Sequence, residues 1–353
     1  MKIAISVLGN LSQNEGTTVR AKRIFDLINK HYDAIFILRG SSKFENTIVI
    51  KPDETKLWNL KIIPAIIKNK FDIVYCSADY FGFITYYFFS KIYGYKIIFE
   101  THGIQSVEYK EGHEITLINK IKLYFYQILE KFVITNSDYV IALSDDIYNF
   151  NKNFNKNVKI VTNYVNEDLF VPKIRKKRFN KIIGLIGPFK SNNINLYFLD
   201  FLYSNLNKFD DRINFVVMGK CDYKIKNDRV RYTGYLRDIE DYIHHLNSLD
   251  AVLVPSKLAS FGALTKILEP MACSIPVFVT PVGTIGLDHA KNFENILIFE
   301  EKNMVNMVNE LIFDENLMDK IGTNARKTIK RYYGQKINEK ELIGILSGLK
   351  EDI

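Results

Sequence analysis

Short apolar runs alternate with amphipathic segments along the first half of this chain, and this alternation constrains the fold more than any other feature. Strands are predicted at 2–9, 33–38, 47–50, 71–77, 96–100 and 139–143, and helices at 17–30, 56–68 and 117–135, with an aromatic helix between the strands 71–77 and 96–100. Strands that are apolar on both faces and separated by helices build a parallel sheet covered on both sides. The first half therefore predicts a doubly wound α/β domain.

The same pattern restarts after a charged segment at 171–181, which contains Pro172 and separates two apolar runs. Strands are predicted at 182–186, 213–218, 230–233 and 251–254, with helices near 195–206, 239–246 and after 260. A proline-bearing, charged segment between two apolar series is typical of a linker. We expect two Rossmann-like domains, 1–172 and 173–335, and a last helix beginning near residue 336.

Several polar or glycine-bearing segments follow the predicted strands directly, at 10–18, 102–103, 187–193, 219–222 and 256–262. Open α/β sheets bind their ligands beyond the carboxyl ends of the strands. If the two domains face each other, these segments line one cleft between them.

The segment 252–283 is the most informative part of the second series. It reads as a buried strand, a polar loop, a short helix and a second buried strand. A helix-opening loop presents free backbone N–H groups and a positive dipole end, which suits a phosphate. Lys266 and Glu269 share one face of the helix, so they could serve a diphosphate and a ribose. The alternative is an ordinary solvated Lys–Glu pair.

Composition narrows the functional class. The apolar fraction of 47% is that of a globular protein, and the formal net charge is +8. A basic chain can meet nucleic acid, anionic lipid or nucleotide phosphate, but no zinc-finger spacing or other nucleic-acid module is present. Cys76, Cys221 and Cys273 are widely separated, which is typical of reduced structural thiols in a cytoplasmic protein. The start of the chain lacks a signal-peptide pattern, and no apolar run reaches membrane-spanning length.

The segment 252–283 resembles the donor-site signature of GT-B glycosyltransferases, particularly the retaining enzymes of family 4 (glycosyl transferases group 1). The matching positions are Pro255-Ser256, Gly262, Lys266, Leu268-Glu269-Pro270-Met271-Ala272 and Ile275-Pro276-Val277. Weaker similarity to family motifs runs through 138–144, 163–170, 231–235 and 249–252. The resemblance implies two Rossmann-like domains facing each other across a cleft, with the last helix packing back on the first.

The resemblance also implies site residues. It implies donor binding by Gly16, Gly187, Lys190, Gly219, Ser256, Gly262, Ala263, Lys266 and Glu269. Catalytic roles fall on His102, which resembles the family's strand-end histidine at the transferred sugar, and on Lys190 and Lys266. Thr17, Glu108 and Glu111 are the candidates for acceptor binding. The alternatives are a helix-capping threonine in 16–18, a structural histidine and solvated loop carboxylates.

Two departures from the family pattern concern the donor site. After Gly187 many members carry an arginine and a later lysine, whereas this chain has Pro188 and Phe189 before Lys190, and Asn193 at the later position. The first carboxylate of the family's Glu-x7-Glu pair is replaced by Phe261. No Asp-x-Asp stands where a metal-dependent transferase would hold a diphosphate through a cation. We therefore expect neither a metal nor a cofactor, with a nucleotide-diphosphate sugar as donor substrate.

The resulting hypothesis is a retaining glycosyltransferase that moves a sugar to a saccharide or lipid-linked saccharide acceptor in glycan, polysaccharide or glycolipid biosynthesis. Two alternatives remain: a sugar-nucleotide epimerase of the same shape, and a catalytically silent subunit, which the altered loop after Gly187 favours.

A membrane partner is also indicated. Segments 56–70, 80–96 and 120–131 combine aromatic and aliphatic residues with flanking lysines. Such segments suit a lipid headgroup interface, and we expect peripheral contact of the first domain with the inner face of the membrane. The alternative is that these aromatic residues pack into the core.

Overall fold

The computed structural model describes residues 1–7, 16–39, 46–50, 57–114, 116–174, 178–189, 195–257 and 262–351. The chain divides into two compact units. The first consists of Met1–Thr162 with Glu339–Ile353, and the second is Asn163–Asn338. The sequence placed the boundary after residue 172, whereas the units divide ahead of the charged segment 171–181.

The first unit contains a seven-stranded parallel sheet of order β3-β2-β1-β4-β5-β6-β7. Its strands are β1 (Lys2–Val7), β2 (Asp33–Arg39), β3 (Thr47–Ile50), β4 (Ile73–Ser77), β5 (Lys96–Thr101), β6 (Tyr139–Ala142) and β7 (Val158–Ile160). Its helices are α1 (Gly16–Ile28), α2 (Ile63–Asn69, preceded by a 3-10 helix at Leu57–Ile62), α3 (Tyr80–Tyr93), α4 (Gln105–Gly112), α5 (Leu117–Thr135) and α6 (Asp145–Lys152).

The second unit contains a six-stranded parallel sheet of order β10-β9-β8-β11-β12-β13. Its strands are β8 (Lys181–Ile186), β9 (Ile213–Met218), β10 (Val230–Gly234), β11 (Ala251–Val254), β12 (Val277–Val279) and β13 (Leu297–Ile298). Its helices are α7 (Leu196–Asn205), α8 (Ile239–Asn247), α9 (Thr265–Ala272), α10 (Glu301–Leu311) and α11 (Glu315–Thr328), with short 3-10 helices at Leu206–Lys208 and Pro281–Thr284 and a π-helical turn at Ile329–Tyr333.

Both sheets have the strand order of a Rossmann fold, in which the chain starts near the middle and reverses direction once. The predicted α/β class, with two doubly wound Rossmann-like domains, is thereby confirmed. The central strands are buried on both faces, as the apolar runs indicated; β4 and β11 are buried at every residue. Helices cover both faces because neither face of such a sheet can meet water.

Local signals fix the ends of the helices. Asp79 caps α3, since its carboxylate accepts a hydrogen bond of 2.8 Å from the N–H of Gly82. The helix ends at Gly94, whose φ of +75° is a left-handed conformation that glycine adopts without steric cost. Thr116 caps α5 through the N–H of Asn119. The sequence predicted both ends of α5 correctly.

The last helix, α12 (Gln335–Glu351), begins in the second unit and continues in the first from Glu339. Within the first unit, Glu339 accepts a hydrogen bond of 3.0 Å from His31, and Glu341 pairs with Lys159 at 3.3 Å. Leu342 and Leu346 are fully buried. The sequence predicted this helix but missed α4, α6, α10 and α11.

Candidate functional site

The carboxyl edge of the second sheet gathers several residues predicted for the donor site. Strands β8 and β11 lie side by side at the point where the strand order reverses. Gly187 follows β8, Gly219 follows β9 and Ser256 follows β11. This edge, at the switch point, is where open α/β sheets place their ligands.

The loops after β8 and β9 touch closely because both carry glycine. Gly219 has a φ of +121°, and a Cβ added there would lie 3.4 Å from the carbonyl carbon of Gly187. A Cβ on Gly187 would in turn collide with the ring of Phe189. The N–H of Phe189 donates to the carbonyl of Lys220 at 2.8 Å. The two loops therefore form one tight platform at the end of the sheet.

Lys266 reaches this platform from α9, the helix that follows β11. Its Nζ donates a hydrogen bond to Oδ1 of Asn195, and Nδ2 of Asn195 donates to the carbonyl of Pro188 at 3.0 Å. The ammonium also lies 4.7 Å from the centroid of the Phe198 ring. The structure thus joins Lys266 to the loop after β8, which the sequence could assign only by resemblance. Asn195 and Phe198 carry no motif that would have identified them.

Burial makes Lys266 electrostatically unusual. Removal of its ammonium from water lowers the pKa of Lys266 to about 7. Within the described part of the chain, no carboxylate forms an ion pair with it; its polar partner is the neutral amide of Asn195. A diphosphate placed beside Nζ would favour the protonated form. The site is therefore built to gain an anion.

Glu269 lies one turn further along α9. Its Oε2 accepts a hydrogen bond of 2.8 Å from the hydroxyl of Tyr242 on α8. Tyr242 packs edge-on against Phe170, with ring centroids 6.3 Å apart. A carboxylate that is oriented by such a hydrogen bond can accept others, as a ribose requires. No sequence motif identifies Tyr242.

The remaining predicted donor residues surround the start of α9. Ser256 is buried, and its carbonyl accepts a hydrogen bond of 2.6 Å from Thr280. Gly262 and Ala263 are buried just before the helix, and the carbonyl of Ala263 accepts from Nδ2 of Asn163 at 2.9 Å. These contacts fix the backbone that leads into α9.

Some predicted residues cannot be located. Lys190, Asn193 and Phe261 lie outside the described residues. Gly16 begins α1, but the side chains of Thr17 and Glu111 lie outside the description as well. The catalytic role of Lys190 and the acceptor roles of Thr17 and Glu111 stay predictions.

In the first unit, His102 follows β5 and belongs to a buried cluster of charged and polar groups. Its Nε2 lies 2.5 Å from Oε1 of Glu100 and 3.1 Å from the hydroxyl of Ser77. A carboxylate can only accept, so Nε2 carries the hydrogen, and Nδ1 of a neutral ring is left as an acceptor. Glu100 thereby fixes both the orientation and the tautomer of His102.

Glu100 is fully buried and receives hydrogen bonds at both oxygens. Oε2 accepts from Arg20 at 2.7 and 2.9 Å and from the hydroxyl of Tyr75 at 2.5 Å, while Oε1 accepts from Ser77 at 2.9 Å. Burial acts to raise the pKa of Glu100, but the charge of Arg20 and the hydrogen bonds from Arg20 and His102 outweigh it. They hold the pKa of Glu100 well below its usual range.

Arg20 on α1 completes this cluster. Its remaining donors reach the carbonyls of Val161 and Thr162 at 2.7 and 2.6 Å. Glu108, a predicted acceptor residue, is exposed on α4, and its carboxylate lies over Gly103, next to His102. The sequence predicted His102 and Glu108 but missed Arg20, Tyr75, Ser77 and Glu100. One signal was available: Glu100 and His102 stand two residues apart at a strand end and so share a face.

No group of three or more His, Cys, Asp or Glu side chains in the described residues is arranged to hold a metal ion. No helix in the described ranges is long and apolar enough to cross a membrane.

Comparison with known proteins shows which proteins this chain resembles. Residues 180–314 match the sequence model described as "Glycosyl transferases group 1". An uncharacterized glycosyltransferase of Methanocaldococcus jannaschii is 26% identical over 235 residues, which cover 63% of this chain and 62% of that protein, less than two thirds of its length.

Two solved structures share the fold over the whole chain. Sucrose-phosphate synthase from Thermosynechococcus elongatus superposes with a TM-score of 0.78 at 14% identity, covering 100% of both chains. Anabaena HepE in complex with UDP-glucose superposes with a TM-score of 0.72 at 15% identity, covering 99% of this chain and 100% of that one. The resemblance to GT-B glycosyltransferases is confirmed: residues 180–314 are similar in sequence to glycosyl transferases group 1, and the whole chain shares its fold with these two structures.

Proposed function

We propose that this protein is a retaining glycosyltransferase that moves a hexosyl or related sugar from a nucleotide-diphosphate sugar to a saccharide or lipid-linked saccharide acceptor. The observation that carries the proposal is Lys266, a partly buried lysine beside the switch point of the second sheet whose polar partner among the described residues is a neutral amide. The complex of HepE with UDP-glucose supports the donor class, since that protein has the same fold.

Departure of the nucleoside diphosphate places growing negative charge on its β-phosphate. A cation already fixed beside that phosphate stabilises the transition state more than the ground state. Lys266 supplies this charge, together with the backbone N–H groups at the start of α9. Lys190 is proposed as a second cation, in place of the family's arginine. Glu269 is proposed to accept hydrogen bonds from the ribose.

On the sugar side, we assign His102 a positioning contact with the transferred sugar. Its ring is held by Glu100 at Nε2, so Nδ1 is available to accept a hydrogen bond from a sugar hydroxyl. Glu108, Glu111 and Thr17 are proposed to bind the acceptor. The carboxyl groups in this proposal bind hydroxyls, and none acts as a general base.

The decisive assay measures release of nucleoside diphosphate from a panel of UDP-, GDP- and ADP-linked sugars, with and without saccharide acceptors. We expect release to require both a donor and an acceptor, and the product to keep the anomeric configuration of the donor. An inverted product would refute the retaining mechanism. Interconversion of the sugar nucleotide without release would identify an epimerase, and binding without turnover would identify a silent subunit.

Activity is expected to be independent of divalent metal, since the chain has no Asp-x-Asp at the proposed diphosphate site and supplies a lysine there instead. Turnover should therefore be unchanged, within about twofold, in excess EDTA. The control is re-addition of Mg²⁺ or Mn²⁺ to the chelated enzyme. A complete loss that either metal reverses would contradict the proposal.

A further inference from the structure

Helix α5 exposes an apolar face along its first twelve residues. Leu117, Ile121, Tyr124 and Ile128 recur at helical spacing, with Ile118 and Phe125 beside them. Ile121 is 63% exposed and Tyr124 is 66% exposed. Single apolar residues on a surface are ordinary, but a continuous stripe of six is a mark of an interaction site.

The stripe does not arise from a poorly anchored helix. The end of α5 is buried through Leu129, Val133 and Ile134. Near its start, Asn119 accepts a hydrogen bond of 2.9 Å from the hydroxyl of Tyr109 on α4. The exposed stripe is therefore the side of α5 that faces away from the packing contacts.

Helix α3 extends the same apolar surface. The ring of Phe81 stacks on that of Phe125, with centroids 6.4 Å apart and planes 21° from parallel. Phe88 and Ile92 follow Phe81 on the same face of α3, at spacings of seven and eleven residues, and Ile92 is 71% exposed. The exposed residues of α3 and α5 together form what we call the aromatic face. Tyr80, Phe83 and Tyr86, on the other side of α3, are buried in the core.

The charges around the aromatic face are positive. At 100° per residue, Lys120 and Lys131 stand on one side of the α5 stripe and Lys122 on the other. Lys91 is exposed between Phe88 and Ile92 on α3. No Asp or Glu occurs in 80–93 or 117–129, and Glu130 is buried. Glu111 and Glu114 precede the helix cap.

We infer that the aromatic face docks the first unit on the surface of an anionic lipid bilayer. Aromatic and aliphatic side chains enter the headgroup boundary, while long lysine side chains reach the anionic headgroups beside them. A second copy of the chain fits this face less well, because pairing two such faces would bring like-charged lysines together. The inference does not depend on the proposed transferase activity, since docking requires no donor.

Of the three segments that indicated a membrane, the structure favours two. The segment 120–131 is mostly exposed, although Leu129 and Glu130 are buried, and 80–96 is divided between core and surface. In 56–70, Ile62, Ala65 and Ile66 are buried, and the side chains of 57–59 lie outside the description.

The test is co-sedimentation of the full chain, without donor, with vesicles of phosphatidylcholine alone or mixed equally with phosphatidylglycerol. Binding should appear with the mixed vesicles at about 50 mM NaCl and weaken strongly at about 500 mM. Ile121→Gln with Ile128→Gln should weaken it by about tenfold or more. Lys120→Gln with Lys122→Gln should weaken it by about 25-fold, since each lysine near an anionic surface contributes about fivefold.

Matched controls come from exposed positions of the second unit. Leu169→Gln with Ile239→Gln controls for loss of exposed apolar surface, and Lys320→Gln with Lys327→Gln controls for loss of charge. Both should bind like the wild type. Equal sedimentation of every variant, or no sedimentation with the mixed vesicles at low salt, would overturn the inference.

Light scattering of the same proteins tests whether a second copy of the chain, rather than a membrane, covers the aromatic face. A wild-type dimer that Ile121→Gln with Ile128→Gln converts to a monomer would assign the face to a second copy and overturn membrane docking. A protein that does not bind lipid should still release nucleoside diphosphate in solution. The membrane proposal and the transferase proposal can therefore be refuted independently.

Discussion

The two units each bury charged side chains near a sheet edge, but they treat the charge in opposite ways. In the first unit, Glu100 receives hydrogen bonds from Arg20, Tyr75, Ser77 and His102, so its charge is fully compensated. In the second unit, Lys266 donates to a neutral amide, and burial brings its pKa down to about 7. One charge is satisfied by the fold, while the other has no counter-charge among the described residues.

This difference separates structural roles from binding roles. A buried charge that the protein compensates holds elements together, whereas a buried charge without a counter-ion costs stability and persists where a ligand completes it. Glu100 joins α1, β4 and β5 and orients His102. Lys266 is placed for an anion that none of the described residues supplies. Substitutions in the two sites should therefore affect different measurements.

The largest effect is expected for Glu100→Gln, and it should appear in stability. The substitution leaves the buried guanidinium of Arg20 without its counter-charge, and breaking a buried pair from one side costs about 3–5 kcal/mol. Urea unfolding, compared with the wild type, measures this cost. Ser77→Ala is the matched control, because it removes one neutral donor from the same carboxylate and should cost only about 1 kcal/mol.

A similar cost for both variants would show that the cluster behaves as a set of ordinary hydrogen bonds rather than as a compensated ion pair. The comparison with Lys266 would then lose its physical basis.

The next effect concerns turnover rather than stability. Lys266→Met removes the cation proposed for the leaving group while keeping an apolar chain of similar length, so kcat should fall by about 100-fold or more. The free energy of unfolding of this variant at pH 7 should not fall. Folding lowers the pKa of Lys266, so the charged lysine destabilises the native state at any pH below its pKa in the unfolded chain. The control is Lys257→Met, a substitution of an exposed lysine in the preceding loop. Normal turnover in the Lys266→Met variant, with the fold retained, would contradict the assignment.

The fold was more predictable than the site because the two depend on different kinds of signal. Apolar periodicity lies in neighbouring residues, and it predicted β3, β9, β11 and α5 with their observed bounds. Helices α10 and α11 were missed because no periodic apolar pattern was assigned after residue 283. The partners of a site residue lie far away in sequence: Arg20 reaches Glu100 across eighty positions, and Asn195 reaches Lys266 across seventy-one.

The lowered pKa of Lys266 predicts how donor affinity depends on pH. The protonated form binds the diphosphate, and in the free protein it is lost as pH rises through about 7. The affinity for a sugar nucleotide should therefore be constant near pH 6 and fall by almost tenfold for each pH unit above about 7, until the pKa of the complex is reached. Calorimetry in two buffers of different ionisation enthalpy should show proton uptake on binding at about pH 8. A pH-independent affinity that equals that of Lys266→Met would show that Lys266 does not meet the phosphate.

The smallest effects are expected at the ribose contact, and they should appear in KM. Glu269→Gln keeps the side-chain shape but removes the charge that accepts from ribose hydroxyls, so the donor KM should rise by about tenfold with kcat little changed. Tyr242→Phe removes only the hydrogen bond that directs Glu269, and the donor KM should rise by about threefold. The double variant should be no worse than Glu269→Gln alone, because Tyr242 acts through that carboxylate. Additive losses in the donor KM would instead show that Tyr242 contacts the donor independently.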